Sequence, residues 1–85
     1  MKNQRYHYFL FGGTASQEYG FASTFAEFLL WAQKSDSTDF DVFRYDNLRH
    51  QPKDLLSAAD GWMGYQEISE TEYLQLKEII NSFNQ

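Results

Sequence analysis

Asp39 and Asp41 come nearest to a chemical motif in this chain. Residues two apart on an extended segment point to the same face, so two such carboxylates can share a divalent cation. The plainer reading, and the preferred one, is a strand whose solvated charges discourage pairing with another chain. His50 stands beside Arg49 and near Asp46. A histidine next to a carboxylate can act as a general base, but no Ser or Cys nucleophile lies at a recognisable spacing from it. His7 is far from His50 in the sequence, and the two have no zinc-ligand spacing. The Gly12-Gly13 pair would cradle a phosphate if it opened a helix. A phosphate loop wants more glycines and a lysine, so the pair reads as a plain turn. No catalytic, cofactor-binding or metal-binding residue is assigned, and the expectation is a protein that is not an enzyme and carries no cofactor.

The surplus in this sequence is aromatic. Eight Phe, six Tyr and two Trp make up 19% of the 85 residues. Aromatic side chains cover roughly 150–250 Å² each, and a domain of this size buries only about 60% of its unfolded surface. Some of these rings must therefore stand at the surface, where Tyr and Trp mark contacts with partners. Two stretches concentrate the relevant residue types: Arg44, Tyr45, Leu48 and Arg49, then Trp62, Met63 and Tyr65. These are the candidate partner-binding residues. An equally simple reading has Trp62 and Tyr65 completing the core.

The remaining composition narrows the setting. The length suits one domain over residues 1–85. With no cysteine, disulfides and thiolate zinc sites are excluded. Dense packing and oligomerisation are the devices left to a small domain. The net charge is −5, and the seven Lys and Arg residues are scattered. Nucleic-acid phosphates are bound through clustered basic residues, so a direct nucleic-acid ligand is disfavoured. The first residues, Met1 to Arg5, lead to no small-residue cleavage site, and no apolar run approaches the roughly 20 residues that span a bilayer. A soluble, cytoplasmic chain without membrane contact is the expectation.

Periodicity supplies the elements that position these residues. Residues 5–11 have a loose period of two and predict a strand that ends at Gly12-Gly13. Residues 14–20 fit either a loop or a return strand. A helix is predicted from Ser23 or Thr24, where Thr24 and Glu27 make a capping box, with Phe25, Phe28, Leu29 and Ala32 on its apolar face. Residues 39–45 predict a second strand, with Phe40 and Val42 on one face and Asp41, Phe43 and Tyr45 on the other. A right-handed parallel crossover would join it to the first strand. Pro52 opens a short helix through Ala59 that Gly61 ends, and residues 62–68 predict a third strand. Ser69 and Glu72 cap an amphipathic helix of about fourteen residues, stapled by Ile68 and Tyr73.

The predicted class is α+β, with a mixed sheet of three or four strands, two to three helices packed on it, and the order β-α-β-α-β-α. No family motif is matched. The functional expectation is a small protein-binding module of the accessory or inhibitor type, engaging another protein or a second copy of itself as a homodimer. The alternative is a small-molecule-binding domain with an aromatic-lined cleft, where Tyr hydroxyls, His7 or Arg44 would orient a ligand.

Overall fold

Residues Tyr6–Gly12 form the central strand, β1, of a three-stranded antiparallel sheet. The computed structural model describes residues 4–14, 24–34 and 39–83. Strand β2 (Phe40–Asp46) pairs with the whole of β1, from Tyr6 opposite Asp46 to Gly12 opposite Phe40. Strand β3 (Gly64–Ile68) pairs with its other side, from Tyr8 opposite Ile68 to Gly12 opposite Gly64. Helices α1 (Phe25–Lys34), α2 (Pro52–Ala59) and α3 (Glu70–Phe83) complete the order β-α-β-α-β-α. The α+β class and the element order are as expected.

Among the described residues the pairings are antiparallel throughout, where a mixed sheet was expected. The parallel crossover from the first strand to the second does not occur. The parallel relation falls to β2 and β3, which both run against β1 and flank it. Strand patterning fixes which side chains share a face, and that assignment is the same whichever way a long connection returns the chain. The possible strand at 14–20 lies outside the described residues, apart from Thr14.

Alternation gives β1 two faces. Tyr8 and Leu10 join Phe40, Val42 and Ile68 on one face, where Phe28 and Ala32 of α1 and Leu76 of α3 cover them. Leu10, Phe28, Phe40 and Leu76 are fully enclosed. Burying each contributes roughly 1.5–3 kcal/mol, so this layer is the main source of stability. Phe28 meets Phe40 edge-on at 5.6 Å, and Trp31 lies 5.4 Å from Phe28.

The caps fix where the helices start. The Glu27 N–H donates to Thr24 Oγ1 at 3.3 Å. At α3 the exchange is reciprocal: the Glu72 N–H donates to Ser69 Oγ at 3.1 Å, and the Ser69 N–H to Glu72 Oε1 at 2.8 Å. Ile68 is buried and Tyr73 packs on the same core, as a staple requires. At α2 the Gln51 N–H donates to Asp54 Oδ2 at 2.7 Å, and Gly61 takes a φ of 89° just past the helix. A side chain at that φ would be strained, which is why glycine ends the helix. No residue of α2 is buried. Among the described residues no helix is long and apolar enough to cross a membrane.

Candidate interaction surface

The second sheet face carries His7, Phe9 and Phe11 from β1, Asp41, Phe43 and Tyr45 from β2, and Tyr65 and Glu67 from β3. Their rings form a continuous run. Phe11 stacks with Phe43 at 6.0 Å and meets Tyr65 edge-on at 6.4 Å. Phe9 also meets Tyr65 edge-on, at 6.1 Å, and His7 meets Tyr45 at 6.5 Å. The segment linking β2 to β3 adds two more rings. His50 lies 5.4 Å from Phe43 and 5.7 Å from Tyr45, and Trp62 lies 6.5 Å from Phe11. Of this whole run only Phe11 is buried. Tyr65 is 46% exposed, and the neighbouring Met63 is 61% exposed.

The structure divides the candidate partner-binding residues. Tyr45, Trp62 and Tyr65 come together on this face, with Met63 next to Trp62 in the chain. Arg44 lies on the helix-covered face, its guanidinium 4.6 Å over the Tyr6 ring. Leu48 and Arg49 stand exposed in the turn that follows β2. Sequence reasoning missed His7, Phe9, Phe11, Phe43 and His50 as members of the surface. The signal for Phe9 was the period-two alternation of residues 5–11, obscured because β1 is aromatic on both faces.

The titratable groups near this surface are held by the backbone and by one another. Arg5 grips Asp46 with two bonds, Nε to Oδ1 and Nη2 to Oδ2, both 3.1 Å. That hydrogen-bonded guanidinium holds the Asp46 carboxyl below its ordinary range and outweighs the opposing effect of burial; the Leu48 N–H on Oδ1 adds to it. The Asp46 N–H donates to His50 Nδ1 at 2.9 Å, so in the neutral ring the proton sits on Nε2. Tyr45 donates its hydroxyl hydrogen to the His50 carbonyl at 3.2 Å. His7 Nδ1 pairs with Glu67 Oε2 at 2.9 Å. On the other face, burial, and then the 3.1 Å bond to Glu70, push the Tyr8 phenol upward.

Asp39 and Asp41 have separate structural tasks. Asp41 Oδ1 accepts the N–H of its neighbour Val42 at 2.8 Å. Asp39 lies so close over Gly13 that a Cβ there would displace its carboxylate. Among the described residues no group of three His, Cys, Asp or Glu side chains is placed to hold a metal ion. An open groove of about 360 Å³ between α1 and α3 is lined by Leu29, Gln33, Gln75, Glu78, Ile79 and Ser82, with no aromatic side chain among them. Compared with known proteins, the chain matches no family model, no curated protein and no solved structure.

Proposed function

We propose that this chain is a small non-enzymatic protein-binding module, of the accessory or inhibitor type, that uses the aromatic face of its sheet for contact and self-associates. The observation that carries this reading is a run of rings from His7 to Tyr65 with only Phe11 buried, and a helix α2, in the segment linking β2 to β3, that buries none of its own residues. Tyr and Trp dominate interface centres because they bring large area with few rotatable bonds, and Met is enriched there as an adaptable apolar contact. A net charge of −5 suits a partner that presents basic residues around an apolar centre.

The polar groups support the non-enzymatic part of the reading. Asp46, Asp41 and His50 Nδ1 each accept hydrogen bonds from backbone or arginine donors. They act as structural fasteners, and among the described residues none has a hydrogen bond to a Ser or Thr hydroxyl.

The test compares the wild type with Tyr65→Ser, an exposed position whose loss leaves the core alone. Mass by light scattering across a concentration series reads self-association. Crosslinking of the tagged chain, followed by mass spectrometry of the crosslinked peptides, reads other partners. The reading predicts contacts that map to Tyr65, Met63 and Trp62 and weaken at least tenfold in the variant. Identical masses and identical crosslinks for the two proteins would refute it.

A further inference from the structure

The two edges of the sheet differ. The Gly13 N–H donates to the Asp39 carbonyl at 3.0 Å, and the Asn47 N–H to the Arg5 carbonyl at 2.9 Å. Odd positions of β1 therefore turn their backbone groups toward β2 and even positions toward β3, since antiparallel strands alternate in this way. Carried one strand outward, the same alternation turns Phe40, Val42, Arg44 and Asp46 to the free side of β2. It turns Tyr65 and Glu67 to the free side of β3.

Side chains interrupt the β2 edge. Asp41 takes the outward N–H of Val42, and His50 takes that of Asp46. The outward carbonyl of Asp46 accepts the N–H groups of Arg49 and His50 at 3.0 and 2.7 Å. Among the described residues nothing comparable guards β3. Among the described residues, the outward backbone groups of Tyr65 and Glu67 make no hydrogen bond. The Glu67 carboxylate, the one charge on this strand, is drawn across the sheet to His7.

We propose that the free edge of β3 pairs antiparallel with the same edge of a second copy of this chain, with Gln66 facing Gln66 across a two-fold axis. The register singles out this arrangement. Centred on Gln66, Tyr65 of each chain lies opposite Glu67 of the other, and the two pairs exchange four backbone hydrogen bonds. Centring on Glu67 would place two carboxylates directly opposite, which is unfavourable. Centring on Tyr65 would use only one bonding pair of this strand. A two-fold axis perpendicular to the sheet keeps like faces together, so two aromatic faces join into one across the seam. The inference rests on the reading of this chain as a self-associating binding module and names the seam.

The absence of cysteine makes the test direct. Opposed residues of a non-hydrogen-bonded antiparallel pair have Cα atoms about 4.5 Å apart, within disulfide reach. Gln66→Cys is expected to crosslink under mild oxidant at least tenfold faster than Arg44→Cys on the interrupted edge. Glu67→Pro removes an outward N–H that β1 does not use, so it should yield a folded monomer by circular dichroism and light scattering. Glu67→Gln keeps that N–H and should stay dimeric. A dimer that persists in Glu67→Pro, with no preference for crosslinking at Gln66, overturns the β3 seam but leaves self-association standing. A wild type that stays monomeric into the millimolar range overturns the seam and self-association together. Should Gln66→Cys fail to fold, the two Glu67 variants decide.

Discussion

The N–H of Asp46 donates to Nδ1 of His50 at 2.9 Å, so the outer edge of β2 closes on a side chain four residues further along. Asp41 closes the same edge at Val42. Both contacts lie on backbone groups that a neighbouring strand would otherwise use, which is how natural sheets guard their margins.

The double variant His50→Ala with Asp41→Ala should lower stability in urea by about 1–3 kcal/mol, as two net hydrogen bonds are lost. It should also aggregate faster at high concentration, because the exposed edge then offers an unguarded ladder. Turbidity and unfolding curves of the double variant that coincide with those of the wild type would remove the guarding role from these two residues.

The Arg5–Asp46 pair sets a limit on the acid side. Arg5 holds the Asp46 carboxyl below its ordinary value. A carboxyl lowered in the folded state stabilises the fold above its unfolded value of about 3.9, and that contribution is lost as pH falls through the folded value. Asp46→Asn should therefore be less stable than the wild type near neutrality, yet lose less on acidification. Urea midpoints measured between about pH 6 and pH 2 give the comparison. Parallel profiles for the two proteins would show that the pair contributes nothing to acid sensitivity.

Burial separates apolar residues that hold the fold from those that do not. Phe28 is enclosed between α1 and the sheet, whereas Leu48 is 74% exposed. Phe28→Ala should cost about 3–5 kcal/mol, a large share of the 5–15 kcal/mol that natural domains possess. Leu48→Ser should stay within about 0.5 kcal/mol of the wild type. Thermal and chemical unfolding check both, and a comparable loss in the two variants would contradict this assignment of the core.

The parts of the fold legible in the sequence are those with local causes. Pro52 to Ala59 has the predicted limits because Pro suits the first turn and Gly61 the position past the last. The Ser69–Glu72 exchange and the split of β2 into a Phe40–Val42 face and a Phe43–Tyr45 face follow from spacing alone. Strand direction was not legible, since nothing in a strand's own residues records which neighbour it faces or which way that neighbour runs. The aromatic face was half legible. Tyr45, Trp62 and Tyr65 were named from residue type, but Phe9 joined them only once the register with β3 was known. His50 was read for chemistry. Its position is explained by the Asp46 N–H, four residues before it, and by the rings of Phe43 and Tyr45 beneath it.

On the proposed β3 seam, a sheet with one interrupted margin and one margin left unpaired among the described residues has a valence of one. Joining two such units consumes both open margins, and a third unit finds only interrupted ones. On that seam, opening the β2 margin by removing the side chains of Asp41 and His50 would give each unit a valence of two, and pairs would go on adding to pairs with no symmetry operation to close the series. Under the proposed β3 seam, the side chains of Asp41 and His50 on the opposite margin would thus set how many copies can assemble, while the strength of their joining is decided elsewhere.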